Sequence, residues 1–303
     1  MRLLVTGANG FIGSACVRTA LARGHTVAGL KRPGRPVPPD LPPSDRLLWL
    51  EGTLAEPPWP ALEAFQPDTC LHAAWIATPG VYLHSPENDR LVRESLTFVD
   101  GLLRRGVRHI AGVGTCIEYQ ITGQPLAEDA TPVAPDTPYA RAKDALRRAL
   151  QSRALQEGWT FTWGRVFYPY GPGEHPARFC SHLLRQLLQG QPVTVKSPHA
   201  LKDYIFIEDL ARAILLTLEH RLQGAVNWGT GTGVTVGHIA RTAADLVGRP
   251  DLVRYQDPPQ PDPFHPVVAD ATRLRQLGWS PAVDLREGLQ RLLASLSGRT
   301  ASH

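Results

Sequence analysis

The chain has 303 residues, 43% hydrophobic and 20% charged, with a formal charge of +4, the balance of a folded globular protein with room for one large α/β domain or two interlocked ones. No apolar run approaches the about 20 residues that span a bilayer, the first strand pattern begins at Arg2 and leaves no room for a signal peptide, and the basic residues form no run of the kind that binds nucleic acid. Cys16, Cys70, Cys116 and Cys180 lie far apart without metal-ligand spacing and read as reduced thiols of a cytoplasmic protein.

Arg2–Thr6 reads as an apolar strand and Phe11–Arg23 as the helix that follows it. Gly7-Ala-Asn-Gly10-Phe-Ile-Gly13 joins the two. Gly7 permits the tight turn, Gly10 lets the backbone approach a pyrophosphate, and Gly13 lets helix and strand pack closely. The helix N-terminus then offers free N–H groups to the phosphates. A strand before the glycines and a helix after them is the context in which this pattern binds a dinucleotide. Thr26–Leu30 is the second strand. An NAD-preferring site carries an acid at its end to hold the ribose hydroxyls. Here the stretch is Ala28-Gly29-Leu30-Lys31-Arg32-Pro33-Gly34-Arg35, with no acid. Lys31, Arg32 and Arg35 suit a 2′-phosphate instead, which favours NADP, with NAD as the alternative. A solvated basic loop is the bland reading of the same residues. Pro33–Pro43, with six prolines, is a surface loop.

Leu47–Leu50 and Thr69–Ala73 continue as the third and fourth strands, Glu87–Arg105 as a long helix and His109–Gly114 as the fifth strand. Thr115 stands at the tip of that strand, where its hydroxyl can meet a reacting oxygen. Tyr139–Glu157 is the next helix and Thr160–Val166 the sixth strand. Strands separated by helices imply a doubly wound parallel sheet. Tyr139 and Lys143 lie one helical turn apart on one face. The ammonium favours the phenolate and so brings an otherwise weak acid–base group into range. Only four of the 32 basic residues are lysine (Lys31, Lys143, Lys196, Lys202), so a lysine at a motif position points to a need for lysine.

Beyond about Arg165 the rhythm loosens. Ala177–Gln189 reads as a helix, Val193–Val195 as a short strand, and Tyr204–Ile207 as a strand leading into the helix Glu208–His220. Val236–Val247, Asp270–Leu277 and Leu285–Leu296 are further helices. The expected fold is α/β, a Rossmann-type doubly wound parallel sheet with a smaller C-terminal substrate-binding lobe. Residues 1–165 plus about 203–230 make the dinucleotide domain, and about 166–202 and 231–303 make the lobe.

Taken in order, Gly7–Gly13, His72-Ala73-Ala74, Thr115 with Tyr119, Tyr139 with Lys143, and Lys202-Asp203-Tyr204-Ile-Phe-Ile-Glu208-Asp209-Leu210 resemble the extended short-chain dehydrogenase/reductase family. The group most like it comprises the nucleotide-sugar epimerases, dehydratases and 4-keto-sugar reductases. The resemblance runs from Met1 to about Leu296. It implies a Thr115/Tyr139/Lys143 triad, a nucleotide-diphosphate sugar as substrate, and a homodimer. The expected cofactor set is Gly7, Asn9, Gly10, Phe11, Ile12, Gly13, Lys31, Arg32, Arg35, Thr53, Leu54, His72, Ala73, Ala74, Tyr139, Lys143 and Phe167. The expected substrate set is Thr78, Thr115, Glu118, Arg178 and Lys202. No metal is expected.

Three departures sharpen the expectation. Family dehydratases carry Asp-Glu after the triad Ser/Thr, and here Cys116 and Ile117 stand there, so dehydration is disfavoured. Gly52-Thr53-Leu54 replaces a Gly-Asp-Leu whose Asp touches adenine. The diphosphate arginines are replaced by Lys202 and lost in Pro263–Asp270, with Arg178, His175 or His265 as substitutes. Glu118 is open between a sugar contact or extra base and a charge paired by an arginine, the second preferred. His72 is expected to pack beside the cofactor, and Trp159, Trp163 and Trp228 to fill the core. The leading reading is an NADPH-dependent 4-keto-sugar reductase. The alternative is an epimerase with recycled cofactor. A non-catalytic NADP sensor is remote, because Tyr139 and Lys143 are both kept.

Overall fold

The structure is a computed structural model and describes residues 1–41, 43–257, 262 and 265–298. Pro42 of the proline loop and Pro263 and Phe264 of the last motif lie outside the described residues. In chain order the elements are β1 (Arg2–Thr6), α1 (Phe11–Ala22), β2 (Thr26–Lys31), β3 (Leu47–Glu51), α2 (Trp59–Phe65), β4 (Thr69–His72), α3 (Glu87–Arg104), β5 (His109–Thr115), α4 (Pro138–Glu157) and β6 (Thr160–Val166). They continue with β7 (Tyr168–Tyr170), α5 (Phe179–Leu188), β8 (Val193–Lys196), β9 (Leu201–Lys202), β10 (Tyr204–Phe206), α6 (Ile207–Glu219), β11 (Gly224–Trp228), β12 (Val234–Thr235), α7 (Val236–Val247), β13 (Val253–Gln256), α8 (Thr272–Gln276) and α9 (Leu285–Leu296). Contacts divide the chain into two units. One holds 1–118, 133–166 and 211–226, the other 119–132, 167–210 and 227–303.

The first unit carries a sheet in the order β11-β6-β5-β4-β1-β2-β3. The pairings from β3 through β6 are parallel, and the order reverses direction at β1, which neighbours both β2 and β4. Ligands bind open α/β sheets at such a switch point, beyond the C-terminal strand ends. β1 and β4 are buried almost throughout, the pattern of strands covered on both faces. Leu4, Ala28, Cys70 and Ile110 of the sheet pack with Phe98, Leu102 and Leu146 of α3 and α4 in one apolar cluster. The edge strand β11 and the helix α2 escape the sequence reading. Gly224 and Asn227 break the apolar run of the first, and Pro57, Pro58 and Pro60 disguise the second, although proline is tolerated in a first helical turn.

The second unit is built from three two-stranded pairs, β10-β7, β12-β9 and β13-β8, with α5, α7 and α9 among its helices. Buried Asp203 organises it. Its carboxylate accepts from the Thr230 amide (2.9 Å) and hydroxyl (2.6 Å), the Gly231 amide (2.9 Å) and the Ala269 amide (3.2 Å). Asp209 likewise accepts from the amides of Ala282 and Val283, both at 3.0 Å. Asp203 and Asp209 of the Lys202–Leu210 motif are therefore structural anchors. Residues 119–132 join this unit and not the dinucleotide unit expected for them. Tyr119 donates to Asn227 (2.8 Å), and Leu126 bridges to Ala269. The helix expected from Asp270 begins at Thr272, because the Asp270 carboxylate accepts the Thr272 amide at 2.9 Å and ends a turn there. Among the described residues no helix is long and apolar enough to cross a membrane, and no group of three or more His, Cys, Asp or Glu is placed to hold a metal.

Candidate active site

The glycine loop has the geometry its sequence demands. Gly7 sits at φ +64°, and a Cβ there would lie 3.0 Å from the Ala74 Cα. A Cβ on Gly13 would lie 2.2 Å from the Gly7 carbonyl oxygen. Backbone thus meets backbone at β1, α1 and the turn after β4, which only glycine allows. The first helical bond runs from the Ser14 amide to Gly10 (2.8 Å), and no acid stands in the first turn. The N–H groups ahead of Ser14, those of Phe11, Ile12 and Gly13, are the orphan donors of a helix start, suited to a phosphate.

Thr6, at the end of β1, accepts from the amides of Ala73 (3.1 Å) and Ala74 (3.0 Å) and bonds His72 Nδ1 (3.0 Å). His72 Nε2 reaches Ser95 at 2.9 Å. Burial, and then the Lys143 charge, push the imidazole pKa down to about 3, so it stays neutral. His72 is a brace that sets the turn floor at Ala73 and Ala74.

At the end of β2 the structure alters one expectation. Lys31 is buried and ion-paired with Glu51 of β3. Sequence spacing gave no hint, because the partner arises from the Lys31–Glu51 register between the strands. With Glu51 56% exposed, the pair is worth at most about 1 kcal/mol. Arg32 and Arg35 are exposed, and among the described residues their guanidinium groups have no partner. Asn9 donates to the Pro36 carbonyl at 3.3 Å, tying the glycine loop to this segment. The Thr53 hydroxyl accepts the Glu56 amide at 2.9 Å and closes a turn, and Leu54 beside it is buried.

Thr115, Tyr139 and Lys143 all belong to the first unit. Thr137 caps α4 by accepting the Ala140 amide (3.1 Å), and Pro138 takes the first helical position. That start places Tyr139 in the first turn, its amide bonded to Leu83 O (3.1 Å) and its ring edge-on to Tyr82 at 4.8 Å. Lys143 lies inside the fold, donating to the Val113 carbonyl of β5 at 2.8 Å, with its ammonium 5.8 Å from the Tyr139 ring centre. The Trp75 ring lies over the ammonium at 3.8 Å, and its indole N–H is held by Asn88 Oδ1 at 2.9 Å. Burial lowers the Lys143 pKa to about 7, while the Glu118 charge opposes the fall. The structure thus brings the Lys143 ammonium to the Tyr139 ring and sets Thr115 at the end of β5. Trp75, Tyr82 and Asn88 were missed in the sequence. The turn they build follows His72-Ala73-Ala74, and an aromatic one residue past that motif was the available signal.

Glu118 is not a sugar contact. It is fully buried, paired with Arg165 at 2.9 Å. Burial raises its pKa, and Arg165 and the other donors oppose the rise. Thr78 is exposed after β4, and Phe167 is buried. In the second unit a cavity of about 390 Å³ is lined by Tyr168, Phe179, Lys196, Lys202, Tyr204 and Asp262, among others. Lys202 pairs with Asp262 at 2.8 Å and lies 5.0 Å from the Tyr168 ring centre. Arg178 stands at the N-cap position of α5 without a side-chain capping bond and is half-buried. His265 Nδ1 is taken by the Leu201 amide (2.7 Å), so that nitrogen is not available to a substrate.

The family profile described as "NAD dependent epimerase/dehydratase family" matches residues 3–229. The chain is 30% identical to GDP-L-fucose synthase 1 of Arabidopsis thaliana over 61% of this chain, a match that spans 62% of that protein, less than two thirds of it. It is 26% identical to UDP-glucose 4-epimerase of Corynebacterium glutamicum over 94% of this chain and 93% of that protein. Its structure resembles that of Thermus thermophilus UDP-glucose 4-epimerase in complex with NAD, with 27% identity, a TM-score of 0.85 and coverage of 99% of this chain and 100% of that one.

Proposed function

The chain belongs to the NAD dependent epimerase/dehydratase family and is an NAD(P)-dependent enzyme that modifies a nucleotide-linked sugar; from that premise we propose that it reduces a 4-keto-sugar at the expense of NADPH. The observation that carries this reading is the end of β2. The β2 end itself carries no acid to hold ribose hydroxyls, Glu51 of β3 beside it is paired with Lys31, and Arg32 and Arg35 are exposed and unpaired among the described residues. Two guanidinium groups suit a 2′-phosphate. Lys31 adds charge once it leaves Glu51. A cofactor consumed as reductant fits an NADPH site.

In this reading Gly7, Gly10, Gly13 and the first amides of α1 receive the pyrophosphate. The bound nicotinamide supplies the hydride. Tyr139 gives its phenolic proton to the keto oxygen, and the Thr115 hydroxyl hydrogen-bonds that oxygen. Lys143 stabilises the phenolate that remains. Run in reverse, the same groups remove a proton from a sugar hydroxyl. Cys116-Ile117 stands in place of the Asp-Glu pair that serves elimination in the family's dehydratases.

A second reading is favoured by the full-length match to UDP-glucose 4-epimerases: an epimerase that recycles a tightly held cofactor. Purified protein is to be incubated with NADPH, or with NADH, and a panel of UDP-, GDP- and dTDP-linked sugars and 4-keto-hexoses. Stoichiometric NADPH oxidation with a keto-sugar supports reduction. Interconversion of sugars with no net cofactor change, by protein that carries cofactor through purification, replaces it with epimerisation.

Arg32→Asp is expected to weaken NADPH about tenfold or more while leaving NADH within about twofold, since a charge-assisted phosphate contact is worth about 1.5–3 kcal/mol. Titration of both cofactors reads the difference, and equal weakening removes Arg32 from the ribose phosphate. Lys202→Ala is expected to raise KM for the nucleotide sugar about tenfold with a smaller fall in kcat, because a diphosphate contact exists in both ground and transition states. NADPH affinity is expected to hold. Steady-state kinetics showing an unchanged KM removes Lys202 from the substrate site.

A further inference from the structure

Thr115-Cys-Ile-Glu118 has the spacing of a capping box, in which Thr and Glu at i and i+3 each bond the other's amide. The turn Cys116–Glu118 that follows β5 makes only one arm of it. Glu118 Oε1 reaches back to the Thr115 amide at 2.8 Å. The Thr115 hydroxyl makes no matching bond, has no hydrogen-bond partner among the described residues, and belongs to a residue only half-buried. An ordinary capping box spends the hydroxyl on the backbone. Here it is left over.

The return arm is unusually well fixed. Glu118 is 0% exposed and its carboxylate also accepts the Trp163 indole N–H (3.0 Å) and Arg165 Nε (2.9 Å), both on β6. The β5–β6 register sets Gly112 against Trp163 and Gly114 against Arg165. A Cβ at Gly114 would stand 2.3 Å from Trp163 Nε1 and 2.7 Å from Glu118 Oε1, and one at Gly112 2.4 Å from the Trp163 ring. Gly112 therefore makes room for the Trp163 ring, and Gly114 for its indole N–H and the carboxylate. A buried ion pair is a poor source of stability when apolar residues of like volume fit instead. Its retention behind a strand tip points to geometry as its use.

We propose that Glu118 is a positioning residue that acts through Thr115, holding the Thr115 backbone from β6 so that its uncommitted hydroxyl stays aimed at the reacting oxygen. This rests on the reading of Thr115 as part of the triad. The nearest charged groups are all accounted for: Arg165 neutralises the carboxylate, and Lys143 is held by Val113 O and Trp75.

The test is a double-mutant cycle, read with the panel sugar that wild type turns over. Glu118→Met/Arg165→Met removes the anchor and leaves no unpaired charge. It is expected to lower kcat about a hundredfold, the scale of a misplacement of about 1 Å, with KM and NADPH Kd within about threefold. In a Thr115→Ala background the same change is expected to cost nothing further. Additive losses, or a kcat near wild type, overturn the proposal while leaving Thr115 in place. A Thr115→Ala protein as active as wild type overturns the triad reading, and the proposal with it. Should the Met pair not fold, Trp163→Phe keeps an aromatic ring at that position and loses the indole N–H clamp. Exchange of the Thr115 amide proton with solvent is then expected to speed up at least fivefold, and unchanged exchange overturns the anchoring.

Discussion

Tyr139→Phe is expected to abolish turnover, by about a hundredfold to ten-thousandfold, the range general acid–base catalysis supplies, while NADPH binds within about twofold of wild type. The substitution removes one oxygen and keeps the ring. Its edge-on packing against Tyr82 at 4.8 Å and the amide bond to Leu83 both survive, so α4 keeps its start and Lys143 its place. Loss of rate with retained cofactor affinity therefore reports on the phenolic proton alone. The measurement is single-turnover kinetics with the panel sugar, beside a cofactor titration. A variant that keeps a tenth of wild-type activity removes Tyr139 as proton carrier. Loss of cofactor affinity in parallel points to a structural role for the phenol.

The parts of this molecule that were legible in sequence are those governed by local rules. The turn from Thr6 to Gly13 needs glycine at fixed offsets. The start of α4 is announced by Thr137-Pro138, and α7 and α9 begin and end where their apolar period does. What escaped is set by register between distant strands. Arg165 neutralises Glu118 only because β5 and β6 align Gly114 with it, and Lys31 meets Glu51 only because β2 and β3 align those ends. The preference for an arginine partner at Glu118 followed from the cost of a lone buried charge, but nothing in the sequence could name the arginine. Asp203 and Asp209 stood in the sequence only as part of a family motif. They are anchors, because the amides they satisfy lie 27 to 74 residues away.

Lys143→Met is expected to make the protein more stable and nearly inactive. The ammonium sits in the interior at 3% exposure, and burial takes its pKa from 10.5 to about 7. Between those values the unfolded chain holds a proton that the folded chain does not, so this group makes stability rise with pH from about 7 to about 10.5. Its cost is fully present below pH 7 and gone above 10.5. The ceiling on that cost is about 5 kcal/mol, and about half of it is expected to be recovered in the variant, since methionine gives up the bond to Val113 O and the cation's contact with Trp75. Methionine fills the same channel without a charge to desolvate. The gain is thus about 2 kcal/mol at pH 6, several degrees in Tm, and it reverses to a deficit of about 2 kcal/mol by pH 10, where the wild-type cost is nearly gone and the lost bond remains. Turnover is expected to fall at least a hundredfold, because Lys143 is the cation the structure sets beside the Tyr139 ring to stabilise the phenolate. Thermal melts of both proteins at pH 6 and pH 10, beside their rates, check this. A variant less stable than wild type at pH 6, or a gap that does not fall between pH 6 and pH 10, shows that the lysine is not held at a cost. Stability given up at a reacting group and recovered when that group is removed is the mark of a site kept for chemistry.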